Sequence, residues 1–362
     1  MLRHVDVALI GGTLALSLIG VVMVYSATRS QYGHYYLERQ VIWVVLGMVI
    51  MVAVMAVDYR RLAAWGYAIY GLVVLSLVGV FVAGKSASDT FGAQRWYQFG
   101  PLQLQPSEFA ALGLIIAVAT YCSRRTGVLE LREMVGIVVL AAVPLVLVYK
   151  QPDLGTTIIL GVCLAAMLVA ANVRARYLAL LALVVVGGFG AAIHLHLLDQ
   201  YQLDRLTNFL HQNTQLRSGN YDLYLSKVTI ASGGFHGTGP FRGAATNLAY
   251  VPNQQTDFIF SAIGEQLGFV GAALVIGLFG IVSLRIMRAA QTARDSFGRL
   301  VCAGAFAFLA FSVFENIGMT IGLMPITGIP LPFISYGGSA SFAFFATVGL
   351  VANVEMRRVS RR

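Results

Sequence analysis

Charge is scarce in this chain. Asp, Glu, Lys and Arg make up 11% of its 362 residues, less than half of the ~25% usual in a soluble domain. So few charged side chains cannot clothe a water-exposed surface of this size, which excludes a soluble cytosolic enzyme and a disordered chain. Cysteine is nearly missing too: Cys122, Cys163 and Cys302 all lie in apolar runs and share no CxxC or Cys/His spacing. They read as small buried hydrophobes, with neither a disulfide framework nor a zinc site. The glycines of 233–239 lack a following Lys-Ser/Thr, so they form a turn and not a phosphate-binding loop.

Apolar surface is what the chain has in abundance. Hydrophobic residues are 58% of the total, and the mean hydropathy is +0.76. A membrane-crossing helix needs about 20 such residues in a row. Ten segments are candidates, of which the fourth, fifth and tenth are short and borrow flanking residues: 7–25, 41–57, 66–83, 109–122, 135–149, 154–171, 177–198, 258–286, 300–324 and 339–354. The first follows Arg3, is too long for a signal-peptide core and lacks a cleavage site. The expected fold is an all-α polytopic membrane protein of ten transmembrane helices, one domain over 1–362. The net charge of +9 is then a question of sides. With both termini cytoplasmic, the inner loops and ends hold 16 of the 25 cations and 6 of the 16 acids. That asymmetry is the positive-inside signature and makes a nucleic-acid partner unnecessary.

The outer connections are unusual. Residues 84–107 contain Arg95-Trp96 and run into Gln105-Pro106-Ser107-Glu108. The longest, 199–256, joins helices seven and eight, and loops of that length in compact folds are usually functional. Within it Tyr221, Tyr224, Leu225 and Val228 predict an amphipathic helix at the membrane surface. Segment 324–341 has no charge and holds Pro325, Pro330 and Pro332 with Gly328, Gly337 and Gly338. It cannot be one regular helix, and irregular backbone at membrane depth is tolerated only when buried in protein or lining a wet cavity.

Three helices that run inward each start beside a carboxylate: Glu108, Asp153 and Asp257. One such acid alone is most simply a helix cap, favoured by ~0.3–1 kcal/mol at the positive end of the dipole. Three at one membrane face point to a site. Arg95, Lys150, Arg205, Arg217, Lys227 and Arg242 share that face. Acids beside cations there suit an anionic, lipid-linked substrate and a proton-accepting base. Glu315, beside Asn316, and Glu265 fall inside helices, where a functional acid and a neutral carboxyl that glues helices are equal alternatives. His194 and His196 point to different faces and cannot share a metal. A divalent cation held by two of the three outer acids stays open as a cofactor.

Several motifs resemble the SEDS family of bacterial cell-wall proteins (shape, elongation, division and sporulation). They are Gly92-Ala93-Gln94-Arg95-Trp96, Gln105-Pro106-Ser107-Glu108, Gln151-Pro152-Asp153-Leu154-Gly155-Thr156, Thr256-Asp257-Phe258-Ile259-Phe260 and the run from Asn316 to Ser339. Residues 226–234 look more like the elongation branch, RodA-like, than the division branch. The resemblance implies a peptidoglycan glycosyltransferase of the cytoplasmic membrane that polymerises lipid II on its outer face. It implies as partners a class B penicillin-binding protein, other elongation-complex membrane proteins and membrane lipids. The family's essential acid falls on Asp257. Two positions depart from the pattern: Ala111 stands where a lysine is usual, and Asn253, Gln254 and Gln255 stand where an acid often follows the proline.

The implied chemistry needs one base, because a diphosphate leaves as a stable anion. Paired carboxyls of the glycosidase kind are not required. The expected roles are Asp257 as general base, Glu108 and Asp153 shaping the site, and Arg95, Lys227 and Arg242 meeting the diphosphate. A flippase for the lipid-linked precursor is the alternative of another class, though no inverted repeat is visible. A non-catalytic scaffold for the penicillin-binding protein is the third.

Overall fold

A computed structural model describes residues 6–83, 85–86, 94–99, 102–125, 127, 129–194, 203, 205, 207, 209–210, 212 and 220–358. Arg3, Gly92, Ala93, His196, Asp199 and Arg217 lie outside them. Asp6 opens α1 (Val7–Tyr32) by accepting from the amides of Ala8 at 2.9 Å and Leu9 at 3.0 Å. Then come α2 (Tyr35–Ala56), α3 (Tyr59–Ala64), α4 (Gly66–Ala83), α5 (Ser107–Ser123), α6 (Leu131–Lys150), α7 (Leu154–Ala170) and α8 (Ala175–His194). The chain ends with α9 (Tyr221–Ser232), α10 (Ala244–Asn247), α11 (Ile259–Thr292), α12 (Ser296–Ile321) and α13 (Gly338–Met356). Seven of these, α1, α2, α4, α6, α11, α12 and α13, are long and apolar enough to cross a membrane. The helices α5, α7 and α8 contribute shorter apolar stretches. Each of the ten apolar segments expected from sequence overlaps one of these ten helices, and residues 195–198 of the seventh lie outside the described residues.

Burial ranks the helices. The most apolar stretch of α13 is 89% buried inside the protein, against 61% for α12 and 17% for α4. Hence α13 is the central post, and Phe344 on it stacks on Phe308 of α12 with ring centroids 4.7 Å apart. Outward faces carry Val and Leu, such as Val45, Val49 and Val52 on α2. Such a surface is soluble in lipid and not in water.

Two features depart from the sequence expectation. First, the protein is not purely helical. Gln94–Phe99 (β2) pairs antiparallel with Lys85–Ser86 (β1) and Leu102–Leu104 (β3), with Tyr97 opposite Leu104. The aromatic-rich run of β2 favours strand, and the Tyr97 hydroxyl ties it to α4 by donating to the Ser76 carbonyl at 2.9 Å. Second, α11 is broken at Gly268, which sits at φ 65° and ψ −165°. That backbone suits glycine, and it strips neighbouring groups of their helical partners. The glycine-rich turn replaces them. Amides of Thr238 and Gly239 donate to the carbonyls of Glu265 (2.9 Å) and Gln266 (3.0 Å), and amides of Phe269 and Val270 donate to Gly234 (3.0 Å) and Phe235 (3.2 Å). The predicted turn at 233–239 is therefore present, and it is the splint for the break.

Helix α9 forms as predicted. It packs on α11 and α12, burying Leu223, Ser226 and Thr229, with Ser226 donating to the Thr320 carbonyl at 2.9 Å, and leaves Tyr221, Tyr224 and Val228 exposed.

Helix ends gather in two groups. At one, Asp6 pairs with Arg285 at 2.5 Å, Tyr59 donates to Asp295 at 2.7 Å, and Arg357 donates to the Met55 carbonyl at 3.2 Å. At the other lie the starts of α5, α7, α11 and α13 and the end of α12, where the three acids meet.

Candidate active site

Asp153 is the N-cap of α7 and more. Its Oδ1 accepts from the Thr156 amide at 3.1 Å. Its Oδ2 accepts from the hydroxyls of Thr156 and Ser107, both at 3.0 Å, and from Gln105 Nε2 at 3.3 Å. With these donors it fastens the start of α5 to the start of α7. Ser339 adds α13, its Oγ accepting from the Gln105 amide at 2.9 Å and donating to the Gln103 carbonyl at 3.2 Å. Arg95 on β2 donates to the Pro152 carbonyl at 2.7 Å, so the strand is pinned beside the same cap.

Asp257 is different. The N-cap of α11 is Phe258, which offers no side-chain capping bond. The backbone of Asp257 is tied: its amide donates to the Asn253 carbonyl at 3.1 Å, and its carbonyl accepts from Asn316 Nδ2 at 2.9 Å. The half-buried carboxylate lies against Gly328, where an added Cβ would sit 3.4 Å from Oδ2. The Arg205 guanidinium, which donates to the Thr327 carbonyl at 3.4 Å, attracts it, and Thr256 hydrogen-bonds it. Burial outweighs both and pushes the Asp257 carboxyl from its ordinary 3.8 up to about 6. A base tuned toward neutrality takes a proton and still releases it.

The uncharged segment after α12 builds the wall of this site. It is irregular, as its prolines demand, with Leu331, Phe333, Ile334 and Ser335 buried among the helices. Ser335 Oγ donates to the Thr256 carbonyl at 2.5 Å, and the Tyr336 amide donates to Gln255 at 2.9 Å.

Glu108 stands in the first turn of α5 and caps nothing. It lies within electrostatic reach of both Asp153 and Asp257. The three acids are thus brought together. Ala111, one turn further on, is 1% exposed. Lys227 donates to Gln212 at 3.1 Å, which in turn donates to the carbonyl of Gly322, the C-cap of α12. Arg242 sits exposed in the turn after Gly239, and none of its contacts among the described residues reaches the three acids. Of the six cations expected at this face, Arg205 is the one among the described residues that acts on the Asp257 carboxylate. Sequence placed Arg205 at this face but gave it no partner there.

Glu265 resolves as structural. Fully buried, it accepts from the amides of Ala245 (2.8 Å) and Thr246 (3.0 Å) and from the Thr246 hydroxyl (2.5 Å), so it caps the short α10. Glu315 lies six residues before the end of α12 and accepts from Thr327 Oγ1 at 2.9 Å. Among the described residues no group of three or more His, Cys, Asp or Glu is placed to hold a metal ion.

A family model described as cell cycle protein, covering FtsW, RodA and SpoVE, matches residues 7–360. The chain belongs to this family. It is similar to peptidoglycan glycosyltransferase MrdB of Escherichia coli K12, at 32% identity over 355 residues, 98% of this chain and 94% of the relative. Stage V sporulation protein E of Bacillus subtilis is 32% identical over 361 residues, 96% of each chain. Of solved structures, rod shape determining protein RodA of Thermus thermophilus superposes with a TM-score of 0.74 at 28% identity, covering 99% of both. A chain of a peptidoglycan synthase complex that coordinates polymerization and crosslinking gives 0.84 at 29% identity, covering 99% of this chain and 100% of that one. The SEDS resemblance, RodA-like, thus holds across the family match. This family member is a multi-pass protein of the cytoplasmic membrane, with seven helices long and apolar enough to cross it among the described residues.

Proposed function

We propose that this chain is a peptidoglycan glycosyltransferase that polymerises lipid II into glycan strands during cell elongation and rod-shape maintenance. All ten apolar helices cross the membrane in one domain, with both termini cytoplasmic. The gathered acids then open on the outer face. Asp257 takes the proton from the attacking sugar hydroxyl. The new bond forms at the anomeric carbon of the second sugar as its bond to the lipid diphosphate breaks, and the diphosphate leaves as an anion. Arg205 and Arg95 stand at this face to meet that charge. Lys227, on α9, stands beside the end of α12 through Gln212, and Arg242 lies in the exposed turn after Gly239. Asp153 holds α5 and α7 in register, and Glu108 completes the acidic wall.

One observation carries this reading: Asp257 is a half-buried carboxylate at the start of α11 that caps no helix and is raised toward neutrality. The names of the relatives and the synthase-complex neighbour support it. That neighbour also supports a class B penicillin-binding protein as crosslinking partner. The acids cluster at one end of the bundle and do not line a path through its middle, which favours transfer over flipping. The test is to incubate purified protein, with and without its class B partner, with lipid II and to resolve the products by size. Glycan ladders are expected. Lipid II moved between leaflets of a vesicle, with no ladder, would favour the transporter.

A further inference from the structure

Two adjacent residues of α12, Glu315 and Asn316, are fully buried and polar, and the proposed chemistry uses neither. Both reach the irregular segment, on either side of one residue. Asn316 Nδ2 donates at 2.8 Å to the Ile329 carbonyl and at 2.9 Å to the Asp257 carbonyl. Two carbonyl acceptors fix which end of the amide points there. Glu315 Oε1 accepts from Thr327 Oγ1 at 2.9 Å. The residue between Thr327 and Ile329 is Gly328, held at φ 78°, which presents its Cα to the Asp257 carboxylate. One helix turn therefore grips the backbone of Asp257 and both flanks of the residue that faces its side chain. The side-chain amide oxygen of Asn316, Oδ1, and Glu315 Oε2 are buried with no hydrogen-bond partner. A buried polar pair with half its capacity unused is a costly way to hold a loop, and such exceptions call for a role.

We propose that Asn316, assisted by Glu315, is a positioning residue for Asp257: it sets the carboxylate against Gly328 and so fixes its distance and access to the reacting hydroxyl. This rests on the reading of Asp257 as the base. Misplacement of a reacting group by about 1 Å costs on the order of 10²-fold in rate. An Asn316→Ala chain keeps the carboxylate and loses its register. Thr327→Val is a gentler cut, nearly the same shape, that releases only the Glu315 grip.

Two measurements on the full chain with its class B partner decide the matter. In lipid II polymerisation, Asn316→Ala should lower kcat by at least tenfold and Thr327→Val by severalfold, with KM within twofold of the parent. The acid limb of the kcat profile, set by Asp257 with Arg205 and Glu108 facing it, should move by more than half a pH unit. The second readout does not need activity. A hydrophobic carbodiimide reacts with protonated buried carboxyls, and peptide mass spectrometry locates the adduct. The pH midpoint or the rate of labelling at Asp257 should change in both variants. If the parent makes no glycan, the glycosyltransferase reading fails, and labelling alone still judges the positioning. Unchanged labelling in both variants overturns it, as does a drop in kcat with an unmoved acid limb. If Asn316→Ala does not fold, Thr327→Val carries both measurements.

Discussion

Replacing Asp257 with Asn separates chemistry from architecture. The exchange keeps shape and leaves both backbone bonds, to Asn253 and from Asn316, in place. No helix cap is lost, because Asp257 caps none. The carboxylate even costs the fold something. Burial lifts it from 3.8 to about 6, so between these values the folded protein holds more protons than the unfolded chain. Stability then falls as pH rises through that window and is level above about 6. The rise corresponds to at most ~3 kcal/mol, less after discounting for partial exposure. Asn carries no charge at any pH. The variant should therefore melt no lower than the parent at pH 7, and the parent's loss of stability between pH 4 and 6 should be missing. Activity should behave in the opposite way. Loss of a general base costs on the order of 10²–10⁴-fold in rate. In the parent, kcat should fall about tenfold per pH unit below the Asp257 value, as the base is protonated. The assay is polymerisation of labelled lipid II by the purified complex, followed over pH, with thermal unfolding measured on the same samples. It should be run in the parent and on top of Ala111→Lys. Glycan synthesis by Asp257→Asn at the parent's rate in an active background would refute the base assignment.

Ala111→Lys places an ammonium one turn from Glu108, which lies beside the like charges of Asp153 and Asp257; polymerisation should rise well above the parent, and an unchanged rate in a folded protein would make that cation dispensable. Glu265→Ala strips acceptors from two amides and a hydroxyl of the α10 region and should cost roughly 1–3 kcal/mol in thermal or denaturant unfolding, whereas a surface acid would cost almost nothing. Single cysteines at Arg124 and Arg294, in a background lacking Cys122, Cys163 and Cys302, should resist a membrane-impermeant label in intact cells, while one at Tyr221 should react; labelling at Arg294 from outside would reverse the topology. Charge substitutions on the outer, lipid-facing flanks of α11 and α12 should weaken co-purification with the class B partner, and an unaffected complex would move the docking surface elsewhere.

The ten apolar segments were legible because length and hydropathy of a run are one-dimensional properties, and lipid demands both. The turn at 233–239 and the irregularity of 324–337 were legible for a similar reason: glycine and proline act on their own backbone. Segment ends were less so, since α1 continues from the expected 25 to Tyr32 on polar residues that packing holds helical. Three acids before three helices looked alike in sequence. Tertiary structure made Asp153 a cap and a fastener, left Glu108 beside two like charges, and freed Asp257 from capping. It also broke α11 at Gly268, turned Glu265 into the cap of a distant short helix, and set Arg205 toward Asp257. Asn316 reaches Asp257 across 59 residues, and Ser339 reaches Gln105 across 234. A carboxylate becomes cap or base according to which donors stand within about 3 Å of it, and those donors come from parts of the chain whose meeting no local pattern records.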